Sequence, residues 1–448
     1  MSKRDIIVFA VLINVALVSC RKSDYRESDN LNVISDQGAG TGTVTLKSTN
    51  QYLLDGLVFV NDGQVLTIEP GTVIRGKTGQ GEKASALVVA RGGRIIAEGT
   101  PLHPIIFTSE GDDLDGSVPL LANGLWGGVV ILGKASLNTQ DGESHVEGIP
   151  FSESRGIFGG TDDEDGSGIF RYVSIRHAGT DIGEGNEING LTLGGVGSNT
   201  VIDHIEVVSA RDDGVEFFGG TVSIRYLTVA FCEDDAVDYD LGFRGKGQFW
   251  LLIQDPAVGG LCFEGSGGVD PETGQPYSIP VFANITAIGR GPNITNKLIL
   301  FDRNAGGKFM NSIFIDQGDG VAIEYRNDVH SCYTQFLEGN LTLTSNLFFN
   351  VAGNTETEIF RVFSFQGSDL TEQNSVISDY FENASNFISD PGILSGDMIY
   401  HVIPLNNIHY DLEDITDPWF EEVLYRGAFN DLLWLSNWTL LHKEGIIH

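Results

Sequence analysis

The sequence has few basic residues, few cysteines and only one long apolar run. Its 27 Lys and Arg residues stand against 61 Asp and Glu residues, which gives a formal net charge of −34 over 448 residues. A nucleic-acid-binding protein needs a positively charged surface, so that function class is excluded. The four cysteines include no Cys-x-x-Cys pair, which excludes the common zinc and thiol redox motifs. Beyond residues 1–20, no segment is apolar enough for a membrane-spanning helix.

Glycine and apolar residues are abundant instead. The chain has 57 glycines, and 41% of its residues are hydrophobic, among them 26 phenylalanines. That apolar content is ample for a folded core, which excludes a disordered acidic chain. Each glycine costs a helix about 1 kcal/mol relative to alanine, so a helical bundle is excluded as well. The composition predicts a β-rich protein with many turns.

The first 43 residues predict an export signal followed by a tether. Residues 1–20 begin with a short basic region, continue with an apolar run and end at Cys20, which is typical of a signal peptide. The ending Leu17-Val18-Ser19-Cys20 resembles the bacterial lipobox, which implies lipid attachment to Cys20 and, since Arg21 follows, an outer-membrane location. Residues 21–43 are polar and predict a flexible tether. We therefore expect a lipid-anchored body facing the periplasm or the cell surface.

An internal repeat follows the tether. The segments 200–220 and 221–241 match at an offset of 22 residues, in acidic as well as apolar positions. An offset of 24 extends the match to residues 191–193 and to residues 251–263, and an offset of 30 relates the segments that begin at Leu57 and Leu87. Within each unit, short runs that alternate apolar and polar residues predict half-buried strands. Such strands need stacked coils to form a core, so the repeat predicts an all-β solenoid.

The coil sequences resemble those of a known group. LTIEPGTVI, GLWGGVVILG and DDGVEFFGG resemble coils of bacterial surface β-helix lipoproteins, and VLYRGAFNDLLWLSNWT resembles the segment in which that group ends. The resemblance implies a right-handed parallel β-helix, which we assign to residues 44–350. Residues 351–448 are expected to form the final coils and a C-terminal cap with a short helix, begun by Asp369 and Glu372 as a capping box. The aromatic C-terminal segment is expected to cover the open end of the solenoid.

The repeat stacks carboxylates in columns. Residues 212–213 and 234–235 lie in equivalent turns, and Glu216 and Asp238 lie in equivalent strands, with side chains that point outward, away from the core. Two unit charges about 4.8 Å apart repel by about 3 kcal/mol at an effective dielectric of 20. A divalent cation would offset this repulsion, and calcium suits flexible turns rich in carboxylates and carbonyls. The predicted calcium ligands are Asp212, Asp213, Glu216, Asp234, Asp235 and Asp238.

The same carboxylates also suggest catalysis. Parallel β-helices include polysaccharide lyases and hydrolases, and paired carboxylates act as acid and base in glycoside hydrolysis. The coil SARDDGVEF is similar to the aspartate-bearing coils of polygalacturonase-type hydrolases, although the Gly-His-Gly and Arg-x-Lys coils of that family have no counterpart at the expected turns. The candidate catalytic residues are Asp213, Asp235 and Asp238, with Arg244 or Lys246 binding an acidic sugar.

The sequence favours a binding module over an enzyme. We expect a lipid-anchored β-helix that binds glycans and is stabilised by calcium, with a polysaccharide or an outer-membrane transporter as its partner. Trp434 and Trp438 are expected either to pack in the cap or to stack on sugar rings. The alternatives are a polysaccharide lyase or glycoside hydrolase that uses the clustered carboxylates, and a structural adhesion protein.

Overall fold

A computed structural model gives the fold of the chain. It describes residues 31–183, 186–269, 271–327, 329–396 and 398–448. The predicted signal peptide, Cys20 and residues 21–30 of the predicted tether lie outside the described residues. The described chain winds into two large sheets in which every strand pairing is parallel. The prediction of an all-β parallel β-helix is confirmed.

The larger sheet, called here the long sheet, has 17 strands. They are Leu31–Ser35, Val44–Leu46, Gln51–Asp55, Val65–Ile68, Val73–Gly76, Arg94–Glu98, Ile105–Ser109, Gly168–Arg176, Val201–Val208, Ser223–Ala230, Lys246–Ile253, Val281–Gly291, Gly307–Met310, Ile313–Gln317, Leu341–Thr344, Leu347–Val351 and Phe387–Ile388. The second sheet has ten strands. They are Leu57–Val60, Ala86–Val89, Val129–Leu132, Leu191–Gly194, Val215–Phe218, Val237–Asp240, Phe263–Ser266, Ile299–Asp302, Val321–Glu324 and Phe360–Phe363.

The remaining elements are short. Three two-stranded antiparallel sheets pair Glu143–His145 with Ile157–Gly159, Asp181–Gly183 with Asn186–Glu187, and Leu394–Gly396 with Ile399–His401. The α-helices are α1 (Cys332–Leu337), α2 (Glu356–Ile359), α3 (Thr371–Asn383) and α4 (Leu440–Lys443), and the 3₁₀ turns are Gly81–Lys83, Ser154–Gly156 and Ala352–Asn354. No helix among the described residues is long and apolar enough to cross a membrane.

The longer strands bend once, and the bend divides the long sheet into two faces. Residues 168–171 pair with residues 95–98, and residues 173–175 pair with residues 105–107. Tyr172, between the two paired segments, has a φ of 48°, and its equivalents His204, Tyr226 and Phe249 also have positive φ. Their rings stack on successive coils, with centroids 4.1, 4.4 and 5.1 Å apart. Aromatic stacking therefore supports a left-handed backbone conformation that is unfavourable for these residue types.

The register confirms part of the predicted repeat and corrects the rest. Val215 lies opposite Val237 at the predicted offset of 22, and Leu191 lies opposite Val215 at the predicted offset of 24. The predicted alignment of Leu251 with Leu227 is wrong, because Leu227 lies opposite Trp250. The alignment of Leu57 with Leu87 is also one residue off. In Ala86–Val89 and in residues 249–253 the inner and outer side chains are all apolar and buried, so alternation could not fix the register there.

The C-terminal segment coats the flank of the solenoid and does not cover its end. Outward-facing residues of the long sheet, such as Leu251 and Ile315, form one buried cluster with Phe429, Trp438 and Leu441. The open end is covered instead by α3, whose Ile377 and Phe381 belong to the interior core. The prediction of a C-terminal cap that contains a short helix is therefore confirmed, whereas the expected position of the aromatic segment over the open end is wrong. A second apolar surface, outside the coil, buries those aromatic residues.

The start of α3 also differs from its prediction. The N-cap residue is Leu370, and no side chain caps the helix. Asp369 instead accepts hydrogen bonds from the backbone N–H and hydroxyl of Thr371, at 3.1 and 2.7 Å. The expected capping box is absent because Asp369 lies one residue before the cap position.

The folded body begins earlier than residue 44. Leu31–Ser35, within the segment predicted as a tether, pairs in parallel with Gln51–Asp55. Its side chains are mostly exposed, so no hydrophobic pattern marks it as a strand. Asp36 then forms an ion pair with Arg155, with 2.6 Å between the nitrogen and oxygen atoms. Backbone pairing with the next coil, rather than burial of side chains, recruits this segment to the sheet.

Candidate cation-binding site

The candidate site lies on the outer surface of the ten-stranded sheet, where a row of side chains changes from apolar to acidic. Strand pairing aligns Val130, Thr192, Glu216, Asp238 and Glu264 in that order. The apolar part of the row is covered by the insertion at residues 133–160, which packs Leu137, Val146, Ile149 and Phe158 over it. The acidic row therefore begins at the edge of an apolar coat.

Glu216 is buried, although its side chain points away from the coil interior. Its side chain was expected to point outward, but only 6% of the residue is exposed, and Asn189 donates a hydrogen bond from Nδ2 to its carboxylate. The neighbouring carboxylate of Asp238 has one buried oxygen, Oδ1, without a hydrogen-bond partner among the described residues. Buried carboxylate oxygens that lack donors are costly, which makes this row a candidate for a bound cation.

A hydrogen-bond ladder of side chains runs through the turns before these strands. Asn189 accepts from the N–H of Asp213 at 3.2 Å, Asp213 accepts from the N–H of Asp235 at 2.9 Å, and Asp235 accepts from the N–H of Leu261. A Cβ atom on Gly260 would collide with the carboxylates of Asp234 and Asp235, so glycine is required there. Asp213 and Asp235 thus hold neighbouring coils together.

The structure brings five of the six predicted metal ligands into two groups that share Asp213. One group is Asp212, Asp213 and Asp234, and the other is Asp213, Glu216 and Asp238. Within each group, one carboxylate oxygen from every residue lies within 4.8 Å of the others. Asp235 belongs to neither group, and its Oδ1 accepts the hydrogen bond from Leu261.

Burial and mutual repulsion raise the pKa values of these carboxyl groups. Burial is the main cause for Asp213, Glu216 and Asp238, and the nearby carboxylates add to it. For Asp212, burial followed by the charges of Glu147 and Glu187 raises the pKa to about 7. The cluster therefore binds protons more tightly than ordinary carboxyl groups do, and a cation would take the place of those protons.

An acidic depression leads to the cluster from solvent. It has a volume of about 600 Å³, and one side is formed by Glu147 from the insertion. Its other acidic residues are Glu187, Asp212, Glu233 and Asp234, and Arg211 is the one cation among its lining residues. Sequence reasoning missed Glu147 and Glu187, because each lies in an irregular segment outside the repeat. The field of this depression attracts cations toward Asp212 and Asp213.

The predicted catalytic set does not come together. Asp213 and Asp238 meet beside the ten-stranded sheet, whereas Arg244 and Lys246 line a separate groove of about 480 Å³. Arg244 pairs with Asp163 at 3.0 Å, and Lys246 pairs with Asp417. The separation arises because the chain turns a corner after Val237–Asp240, which carries Arg244 and Lys246 to the next face.

Of the two roles considered for Trp434 and Trp438, packing and sugar stacking, the structure shows packing contacts for both. Trp438 is fully buried, and its indole N–H donates to the carbonyl of Trp434 at 2.9 Å. Trp434 is half-buried between Phe429 and Tyr226, with ring centroids 5.5 and 5.3 Å away. Trp419 lies instead in the groove with Arg244 and carries Arg225 at 4.7 Å from its ring centroid.

The raised pKa of Asp212 predicts how stability depends on pH without added metal. The pKa of Asp212 in the folded state, about 7, lies above its ordinary value of 3.8. The contribution of this group to the free energy of unfolding is therefore fully present below about pH 4 and is lost as pH rises through 7. Asp212→Asn removes that dependence. Relative to Asp212→Asn, the free energy of unfolding of the native protein should fall by roughly 1 kcal/mol per pH unit between about pH 5 and 7. Urea unfolding in the presence of a chelator at several pH values measures this loss. Asp141→Asn, at an exposed position, is the control. The prediction is contradicted if the free energy of unfolding of Asp212→Asn depends on pH in the same way as that of the native protein.

Comparison with known proteins identifies the fold family. The family model described as a pectate-lyase-like β-helix domain matches residues 38–386, which is more than three quarters of the chain. None of the curated proteins and none of the solved structures matches this chain. The matched segment includes every strand of the two large sheets except Leu31–Ser35 and Phe387–Ile388, and it therefore includes the acidic row and the ladder. The chain therefore belongs to the family of the pectate-lyase-like β-helix domain.

Proposed function

We propose that this β-helix is a calcium-stabilised, non-catalytic binding module of a bacterial cell surface, with glycans as its ligands. The observation that carries the proposal is the buried carboxylate group of Asp213, Glu216 and Asp238, with the unpaired Oδ1 of Asp238. Oxygen ligands on turns and strand ends match the preference of Ca²⁺ for six to eight oxygens in flexible geometry. Residues Asp212 and Asp234 supply further carboxylates at the solvent side.

The roles of the ladder residues support binding rather than catalysis. A catalytic acid or base must be free to exchange a proton with a substrate. Asp213 and Asp235 each accept a backbone hydrogen bond from the following coil, and both are buried. Removing either carboxylate would first disturb coil stacking, so these residues are poor candidates for acid–base chemistry.

The cationic groove is the best candidate for the glycan site. Arg171, Arg225, Arg244 and Lys246 line it, although the whole chain has only 27 basic residues. Serine and threonine side chains, Trp419, Val201, Ile202 and one acidic residue, Asp203, complete the lining. Cations, hydroxyl groups and an aromatic ring are the partners that a sugar chain bearing carboxylates would need.

A second candidate function is a polysaccharide lyase or glycoside hydrolase. One observation favours it: Asp212, with a pKa of about 7, faces an open depression beside Arg211. A carboxyl group that titrates near neutral pH is suited to general acid–base catalysis. In that case the depression would hold the substrate, and the cationic groove would not be required.

The surface location depends on Cys20 and predicts a simple outcome. If Cys20 carries a lipid, the native protein should sediment with the outer-membrane fraction, whereas Cys20→Ala should be released into a soluble fraction. Cys262→Ala, which changes a buried free cysteine, is the matched control. An unaltered distribution of Cys20→Ala would contradict the lipid anchor while leaving the binding proposal open to its own tests.

Calcium should raise the thermal stability of the native protein at neutral pH. A ligand at 100 times its dissociation constant adds about 2.7 kcal/mol to the free energy of unfolding. Asp238→Asn should weaken calcium binding in isothermal titration, because it removes the carboxylate whose Oδ1 has no donor. Asp379→Asn, an exposed change on α3, is the control. Equal melting temperatures for native protein in calcium and in chelator would refute the metal site.

The glycan proposal predicts binding of an acidic polysaccharide without cleavage. Arg244→Gln and Lys246→Gln should each reduce affinity roughly tenfold, since a hydrogen bond to a charged group contributes about 1.5 kcal/mol or more. The control variant Lys83→Gln, at an exposed position, should leave the affinity for the polysaccharide unchanged. Titration measures affinity, and assays for reducing ends and unsaturated sugars measure cleavage. Product formation that Asp212→Asn abolishes would establish the enzymatic alternative instead.

A further inference from the structure

A small pocket outside the sites described above contains a buried arginine without a full set of partners. Arg176, at the end of Gly168–Arg176, is 3% exposed, and its Nη2 has no hydrogen-bond partner among the described residues. Its Nε donates to the hydroxyl of Ser174 at 2.8 Å, and Ser174 in turn donates to Glu206 at 2.6 Å. The oxygens of Glu206 also accept from the N–H groups of Leu440 and Leu441, so Glu206 serves α4.

The pocket lies between two segments that the repeat does not include. Its floor is Arg176 and His177, one wall is the insertion at residues 112–120, and the other wall comes from the C-terminal residues 440–446. Leu114, Val118, Leu120 and Ile446 give it an apolar side. Its volume is about 170 Å³. A cavity of about 150 Å³ accommodates benzene, so this pocket holds a ligand of about six to eight non-hydrogen atoms.

The charged groups around the pocket have opposite signs. Asp112 and Glu444 line it together with Arg176. Asp112 is fixed by hydrogen bonds from Thr108 and from the N–H of Leu114, at 2.7 and 2.8 Å. Glu444 is exposed at the rim. A plain anion would meet the two carboxylates, and a plain cation would meet the guanidinium, so neither is well matched to the lining.

His177 contributes a polar surface without a charge. Its Nδ1 lies 2.6 Å from the carbonyl oxygen of Ala122, which fixes the ring with the proton on Nδ1. Burial lowers the pKa of His177, so the ring is neutral at physiological pH. The positive charge on the floor of the pocket therefore comes from Arg176.

We propose that this pocket binds a small aliphatic α-amino acid as its zwitterion. The α-carboxylate pairs with the free Nη2 of Arg176, the α-ammonium group is held by Glu444 and Asp112, and the aliphatic side chain packs against Leu114, Val118 and Leu120. A ligand of this class satisfies the buried guanidinium, balances both carboxylates and fits the volume of the pocket. The inference concerns the outer side of the long sheet and does not depend on the proposed calcium or glycan sites.

Titration of the full-length protein with L-valine tests the proposal. Saturable binding of one valine per chain is expected, with at least tenfold weaker binding of 3-methylbutanoate, which lacks the amine, and of 2-methylpropylamine, which lacks the carboxylate. Binding of 3-methylbutanoate as tight as that of valine would overturn the zwitterion assignment. Absence of saturable binding by valine, leucine and alanine would overturn the site.

Two variants locate the binding. Arg176→Met replaces the guanidinium with an apolar chain of similar length and should abolish binding of valine. Glu444→Gln changes an exposed side chain, and it should weaken the binding of valine at least fivefold without altering the binding of 3-methylbutanoate. Glu382→Gln on α3 is the matched control. If Arg176→Met does not fold, native affinity for valine in Glu444→Gln still overturns the proposal.

Discussion

Stacking at a fixed coil spacing is the constraint on which the structure depends. In a parallel β-helix each side chain lies about 4.8 Å from its equivalent on the next coil. A row therefore either repeats one type of side chain or places unlike side chains in contact, which is unfavourable. Apolar rows gain from this geometry in the interior core. Glu216, Asp238 and Glu264 lie in one row, and at this spacing their negative charges repel one another. A bound cation or retained protons are the two ways to relieve that repulsion.

The same spacing explains why neighbouring turns carry Asn189, Asp213 and Asp235. Each side chain reaches the next coil of the solenoid and accepts a hydrogen bond from the backbone N–H of the residue at the equivalent position. Backbone groups at these corners have no strand partner, so the side chains satisfy them. Carboxylates can therefore hold neighbouring coils together through turns and repel one another along strands, and Glu216 lies only three positions after Asp213.

Much of the fold could be predicted from the sequence, because inward-facing apolar residues alternate with polar ones wherever the outer face of a strand is polar. Val215 and Val237 are an example, and their register follows from alternation. The prediction of strand register failed where an outer coat packs on a strand, because both faces of that strand are then apolar and buried. Leu251 and Ile253 face the C-terminal segment, while Trp250 and Leu252 face the interior, so residues 250–253 have no polar face to set their register. The coats themselves come from irregular segments that no repeat describes.

The candidate site could be predicted only in part, for the same reason. Asp213, Glu216 and Asp238 belong to the repeat, so their proximity followed from spacing. Glu147 reaches the depression from an insertion, and its charge helps to raise the pKa of Asp212. Burial of Glu216 likewise depends on the covered outer face beside the insertion. In this solenoid the coils repeat the same types of side chain at equivalent positions. The insertions determine which of those side chains are buried, strained and able to bind a ligand.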